Sequence, residues 1–493
     1  MGLRGAVSAV SRPAAAVILA FAVLKIAILA YYGPLRANDT MGYQWVADAM
    51  AHDPRFWISV PDWTTDALPA FAFRPIGYPF LLVLTQSWSI AVLLQIAMSA
   101  AVAWQMTRIV FETTKSHRLA TAAAVFYLAG QTLLWDASVL SDTFYTALFN
   151  LVMLTLMRAA YRRQKLSNGV ALGLGFAWGY AIWIRENGLY LTILPLALLL
   201  FSSGIAYRRR LAICAVFLAP VVLMVGIYAG WNHLRTGETF IGITGTPNYL
   251  RPVFEIAKAG HVDPFADGSE LSKTVKATAT DFSYPEQVVI LEKFQHETGL
   301  DPLAIQRVAQ RKLIDTAVRW PGAYAAVTLQ NLNPARLGPI MFDPLTALND
   351  FYQLGIPPYQ RIVPGTGLKS FKELAAGHRY GGLALAASSL IAQLLATGLF
   401  LYTIARIAIG AAGAAIARRP PSPELALALQ ALGAFLLVVA SFALIHSEAR
   451  HLMPVVPAFL IATAVSIPRP PLSSIRLFWS GWAAPRRPAE GIY

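Results

Sequence analysis

Asn38-Asp39-Thr40-Met41-Gly42-Tyr43 opens, and Arg74-Pro75-Ile76-Gly77-Tyr78-Pro79 closes, the polar loop 33–80 between the first two apolar segments of this chain. A loop that only reverses direction needs a few residues. This one carries Asp39, Asp48, Asp53, Asp62 and Asp66, the aromatics Tyr43, Trp45, Phe56, Trp57 and Trp63, and ends on Arg74 as apolar sequence resumes. Its flanks decide the fold. A basic start (Arg4, Arg12) leads into the apolar run Pro13 to Tyr32, which is long, lacks a convincing cleavage site and reads as an uncleaved first span. After the loop, residues 75–107 are apolar for longer than one span requires. Pro75, Gly77 and Pro79 punctuate the start, so an interfacial or re-entrant piece is expected there, with the span proper from about Thr85.

The whole chain fits that reading. Of its 493 residues 56% are hydrophobic and 13% charged, about half the charged share of a soluble domain. A span takes about 20 apolar residues, and runs of that kind lie near 13–32, 85–107, 119–135, 143–160, 168–184, 188–204, 211–231, 381–407, 424–445 and 452–467. The expected fold is an all-α polytopic membrane protein of about ten (10–13) transmembrane helices. An N-terminal transmembrane module (1–231) is followed by a mainly helical extracytoplasmic domain (232–379), C-terminal transmembrane helices (380–468) and a tail (469–493). Lys25, inside the first span, either snorkels or pairs with an acidic neighbour.

The formal net charge of +14 invites a nucleic-acid reading, but the charges sit in short clusters between spans, as the positive-inside rule produces. With a cytoplasmic N-terminus, Arg4, Arg12, Arg108, Lys115, Arg118, Arg158, Arg162, Arg163, Lys165, Arg208, Arg209, Arg210, Arg406, Arg418, Arg419, Arg469, Arg476, Arg486 and Arg487 fall inside. Outside, beyond the one large domain, stand Arg36, Arg55, Arg74, Arg185 and Arg450. Both termini are therefore expected in the cytoplasm. The one cysteine, Cys214, sits in an apolar run and makes no internal disulfide.

With that orientation the conspicuous charges at span ends share the outer face: Asp39; Asp136 and Asp142; Arg185-Glu186-Asn187; and His446-Ser447-Glu448-Ala449-Arg450-His451. Ionisable groups at membrane depth cost about 2.5–3.5 kcal/mol each on insertion scales. Four such clusters at one face point to a shared polar cavity, against the plainer reading of solvated loop ends. In the outer domain, Pro285 to Glu297 and Asp301 to Trp320 read as helices, the second with an Asp cap and a Pro at its first position. Gly322 to Leu332 reads as lying on the membrane surface. Leu250 to Thr280 and Asp343 to Gly377 read as loop-rich. A dinucleotide fingerprint, a Walker loop, HExxH, cysteine metal spacings and a Gly-x-Ser-x-Gly elbow are all missing. Carboxylates and arginines remain. Asp39 suits proton removal from a hydroxyl, and the planar fork of Arg74 suits a phosphate.

The ordered set of pieces resembles the polytopic GT-C glycosyltransferases, which use polyprenyl-phosphate sugars and include bacterial aminoarabinose and protein-mannosyl transferases. Asn38-Asp39 and Arg74-Pro-Ile-Gly-Tyr-Pro79 are similar to the two ends of their first outer loop. Leu140-Ser141-Asp142-Thr143-Phe144-Tyr145, Ile184-Arg185-Glu186-Asn187, Trp231-Asn232 through Gly237, Ala317 through Tyr324 and Glu448-Ala449-Arg450-His451-Leu452-Met453-Pro454 follow in the family's order. Two positions depart from it: Asn38 stands where a second acidic residue is common, and His451 replaces the late Tyr.

The resemblance implies a GT-C-like enzyme in the bacterial inner membrane, with its active site facing outward. It would move a hexosyl or pentosyl unit from a polyprenyl-phosphate donor to a glycan, lipid or protein acceptor, with no nucleic acid involved. Asp39 would be the catalytic base. Arg74, with Arg185 and Arg450, would hold the donor phosphate. Asp142, Glu186, Glu448 and His451 would position the sugar or a cation, and Tyr43 and Tyr78 would line the substrate. Whether a divalent cation takes part stays open. The alternatives are a transporter or flippase of a lipid-linked saccharide, and a polysaccharide polymerase or ligase.

Overall fold

The computed structural model describes residues 12–37, 39–59, 74–130, 132–201, 206–243, 246–282, 284–333, 337, 380–445 and 449–467. Among them there are helices and no strands, apart from a single parallel bridge between Leu35 and Ser138. In chain order the helices are α1 (Arg12–Tyr32), α2 (Thr40–His52), α3 (Gly77–Thr85), α4 (Trp88–Thr114), α5 (His117–Ala129), α6 (Thr132–Trp135), α7 (Ser141–Tyr161), α8 (Asn168–Ile184), α9 (Ile193–Leu200) and α10 (Tyr207–Thr236). They continue with α11 (Thr246–Ala259), α12 (Glu270–Thr278), α13 (Tyr284–Thr298), α14 (Pro302–Arg319), α15 (Pro321–Asn331), α16 (Tyr380–Ile416), α17 (Pro423–Ala443) and α18 (Val456–Ser466).

Local chemistry places the ends. Ser87, Ser167 and Ser422 each accept a hydrogen bond from a backbone N–H in the first turn of the helix that follows. The short link between α4 and α5 ends on Ser116, which caps α5 in the same way. α10 stops at Gly237, whose φ of 77° lets its N–H close onto the His233 carbonyl.

Among the described residues, six helices are long and apolar enough to cross a membrane: Arg12–Tyr32, Trp88–Thr114, Ser141–Tyr161, Tyr207–Thr236, Leu394–Ile416 and Pro423–Ala443. Three shorter apolar segments, Asn168–Ile184, Glu186–Leu200 and His451–Ser466, run beside them. Large apolar side chains such as Leu19 and Val23 on α1, Val222 and Ile227 on α10, and Leu394 and Leu395 on α16 face outward. A bundle that is apolar on its outer surface as well as in its core is built for lipid. α8 and α10 pack closely because Gly175 and Gly179, one turn apart, leave no room for a Cβ against Phe217, Pro220 and Met224.

Several expectations change in detail. The loop after the first span is followed by the short α3, and the span proper begins at Trp88, close to the expected Thr85. The run 119–135 divides into α5 and α6 around Gly130. The run 188–204 opens with two 3-10 turns, Glu186–Gly188 and Tyr190–Thr192, before α9.

Leu250 to Thr280 is not loop-rich. It holds α11, which runs on through Pro252, and α12, capped by Ser269. Leu250, Val253, Phe254, Leu271 and Val275 join Ile290, Phe294, Ile305 and Ala309 in a second apolar core. Those positions are apolar because four short helices can only bury their stripes against one another. α13 and α14 lie close to their expected limits. Gly322 to Leu332 is helical as α15, and it docks on the end of α17. The Tyr324 hydroxyl donates to the Leu444 carbonyl (2.5 Å), and the Asn331 amide to that of Ala443 (3.1 Å). The expected loop Asp343 to Gly377 lies outside the described residues.

Candidate active site at one end of the helical bundle

Asp39 occupies the position just before α2, where an aspartate ordinarily caps the helix. Here its side chain makes no capping hydrogen bond. The neighbouring Thr40 takes up the local bonding, accepting from the Ala37 N–H and donating to the Val139 carbonyl, each at 3.0 Å. The Asp39 carboxylate turns to Arg74, whose Nη2 donates to it at 2.9 Å. The two ends of the loop 33–80 therefore meet. Just upstream, Leu35 exchanges backbone hydrogen bonds of 2.9 Å with Ala137 and Val139. These bonds strap the loop's entry to the strand-like link before α7.

Around this pair stand two tyrosines. The Arg74 guanidinium lies 4.8 Å from the centre of the Tyr43 ring, within cation–π range. The Tyr43 hydroxyl shares a 2.6 Å hydrogen bond with Ser141, and its ring meets that of Tyr78 edge-on at 5.2 Å. Tyr78 is fully buried and donates to Gln95 at 2.7 Å, while the Gln95 amide donates to the Asp136 and Ser138 carbonyls. Tyr78 is thus a buttress behind the site, and Tyr43 is the wall nearer its charged groups. Burial pushes the Tyr43 phenol up, even though the Arg74 charge pulls the other way. Burial works against the Arg74 charge, but the Asp39 carboxylate and Tyr43 outweigh it and hold the guanidinium above its usual range.

A second ion pair lies next to Ser141. Asp142, in the first turn of α7, binds Arg185, the residue that ends α8. Gly77 brings the two pairs together: a Cβ there would stand 2.7 Å from the backbone of Trp183 and Ile184. The Tyr180 hydroxyl also donates to the Gly77 carbonyl at 2.8 Å. Only glycine allows the start of α3, just past Arg74, to lie directly on the end of α8, just before Arg185. Of the two carboxylates Asp39 is the reachable one, with its side chain 25% exposed against 2% for Asp142.

Glu186 follows on the adjoining 3-10 turn and lies against the backbone of Gly242, where an added Cβ would sit 2.7 Å from its Oε2. His451 is buried in the turn Ala449–Val455 and stacks on Phe442 at 5.0 Å. Glu448 and the side chain of Arg450 lie outside the described residues. The structure therefore brings Asp39, Arg74, Tyr43, Tyr78, Asp142 and Arg185 into one cluster, with Glu186 on the next turn. Among the described residues no group of three or more His, Cys, Asp or Glu is close enough to hold a metal ion.

Asp136, expected among the charges of the shared face, is instead buried at 3% exposure and pairs with Lys25 at 2.5 Å. Lys25 therefore pairs rather than snorkels. The sequence reading passed over Gln95 and Ser141. A polar Gln inside an apolar span was the available signal for the first, and nothing local marks the second. Asp53 does what a loop aspartate commonly does, accepting from the Arg55 N–H at the start of a 3-10 turn. Compared with known proteins, the chain matches no family model, no curated protein and no solved structure.

Proposed function

We propose that the chain is an integral membrane glycosyltransferase. It takes a hexosyl or pentosyl unit from a polyprenyl-phosphate donor and passes it to a hydroxyl of a glycan, lipid or protein acceptor. The observation that carries this reading is the diverted carboxylate: Asp39 sits in a capping position, leaves the helix uncapped and faces Arg74. A base for a hydroxyl and a fork for a phosphate then stand side by side at one end of an apolar bundle, as group transfer from a lipid phosphate requires.

In this reading the donor phosphate competes for Arg74. The guanidinium turns to the phosphate, and Asp39 is released toward the acceptor hydroxyl. Asp39 removes the hydroxyl proton as the oxygen attacks the anomeric carbon from the face opposite the phosphate. The bond to the phosphate oxygen breaks, the configuration inverts, and polyprenyl phosphate leaves with its charge held by Arg74 and Arg185. Asp142 keeps Arg185 aimed at the site. The outward-facing helical unit α11–α15 stands beside the site for the acceptor. The membrane is the bacterial inner membrane, crossed about ten times, with both termini cytoplasmic. The six long helices, the three shorter apolar segments and the broken pair α5–α6 supply the crossings.

The test is Asp39→Asn, which keeps shape and removes the base. In membranes supplied with polyprenyl-phosphate sugars, transfer falls by about 10²–10⁴-fold while the protein remains folded. Wild-type transfer by a folded Asp39→Asn protein would remove Asp39 from this role.

A further inference from the structure

The opposite end of the bundle carries a built cluster of its own. α7 has Asp142 in its first turn and Arg158 in its last, about 24 Å apart along the helix. At the Arg158 end, the Glu112 carboxylate of α4 is surrounded by three guanidinium groups. Arg158 binds both its oxygens (Nη2 to Oε1 2.7 Å, Nε to Oε2 3.0 Å), Arg162 donates through Nε at 2.8 Å, and Arg108 through Nε at 3.1 Å. Glu112 is 9% exposed at its side chain, Arg158 17%, Arg108 23% and Arg162 35%.

The charge does not balance. Glu112 is the only carboxylate that α4, α5 and the link between them supply, and Asp142 is at the other end of α7. Three half-buried cations against one anion leave an excess of two positive charges. A pair made only to hold α4 to α7 needs one arginine, and Arg158 alone makes that pair with a bidentate fork. Arg108 and Arg162 each use only Nε, so their terminal amino groups hold no hydrogen-bond partner among the described residues. Glu112 draws together cations that would otherwise repel one another, and the surplus charge in a poorly solvated place favours an anion.

α4 and α7 both have the length and composition of membrane spans, so their last turns lie at the level of lipid headgroups. Basic pockets between helices at that level hold phosphate headgroups. We infer that the Arg108, Arg158 and Arg162 cluster organised by Glu112 is a binding site for the phosphodiester headgroup of an anionic membrane lipid. The free edges of Arg108 and Arg162 take the phosphate oxygens, and the headgroup ties the ends of α4 and α7 together.

The experiment follows the thermal unfolding of the purified full chain in neutral detergent. It titrates in phosphatidylglycerol, phosphatidylcholine or inorganic phosphate. For the wild type, phosphatidylglycerol raises the midpoint and the other two do not. Arg108→Gln with Arg162→Gln, which keeps the Glu112–Arg158 pair, weakens the phosphatidylglycerol response about a hundredfold, tenfold per arginine. Arg208→Gln with Arg209→Gln, exposed basic residues outside the cluster, weakens it at least tenfold less. A smaller difference between the two variants overturns the site in favour of diffuse surface charge. An equal response to phosphatidylcholine, or to inorganic phosphate, overturns the anionic lipid as its occupant. If the double variant does not fold, Arg162→Gln alone decides, by a tenfold loss or its absence.

Discussion

Gly77 has a steric role that no other residue can fill. Its missing side chain lets α3 lie on the end of α8 and sets the Asp39–Arg74 and Asp142–Arg185 pairs side by side. Gly77→Ala places a methyl 2.7 Å from a backbone nitrogen that cannot swing away. The helix ends must part, at a cost of about 1–3 kcal/mol, and under the proposed glycosyltransferase function transfer falls more steeply than stability because the two arginines separate. Thermal unfolding in detergent together with a donor-transfer assay measures both, and an unchanged Gly77→Ala protein would show that the close approach is unimportant. The residues of this cluster were partly legible. Asp39 and Arg74 stand out as charged residues near the two ends of a long loop beside apolar runs. That they touch, and that Asp39 forgoes the cap, is a matter of folding.

At the scale of elements, the buried Lys25–Asp136 pair joins α1 to the link between α6 and α7. That link carries the backbone that holds Leu35, Thr40 and Gln95. Asp136→Asn leaves a buried ammonium without its carboxylate and costs about 3–5 kcal/mol. Lys25→Met with Asp136→Leu recovers most of that loss, because two desolvated charges are removed together. Chemical or thermal unfolding of the three proteins checks the order.

The helical unit α11–α14 has a pH response of known sign. Burial alone would raise the Asp267 carboxyl, but hydrogen bonds from Lys312, Ser272 and Ser269 outweigh it and hold it well below the usual carboxylate range. A carboxyl depressed by folding adds stability at pH values above its unfolded value of about 3.9, and that contribution is lost as pH falls toward the folded value. The unit therefore loosens between about pH 4 and lower values, and Asp267→Asn flattens that part of the profile. Amide exchange of α12 and α14 across the range reads it, and an unaltered profile in the variant would contradict the assignment.

At the scale of the whole molecule, orientation rests on charge asymmetry and is open to a direct check. In a Cys214→Ser background, Lys258→Cys on α11 and Arg118→Cys on α5 place thiols at exposed positions at the two ends. A membrane-impermeant maleimide applied to intact cells labels Lys258→Cys and spares Arg118→Cys. The reverse pattern inverts the topology. Hydropathy and charge are summed over many residues, so the sequence alone was enough to establish an apolar helical bundle, its approximate helix limits and the residue types gathered at its two ends. The break around Gly130, the 3-10 turns before α9, and the helices α11 and α12 were not read from it. What only the tertiary structure decided is pairing. Lys25 chose Asp136, Arg74 chose Asp39, Arg185 chose Asp142, and Glu112 gathered three arginines from α4 and the end of α7. A buried charge takes the partner that packing brings within reach, and the separation along the chain, 111 residues for Lys25 and Asp136, carries no trace of it.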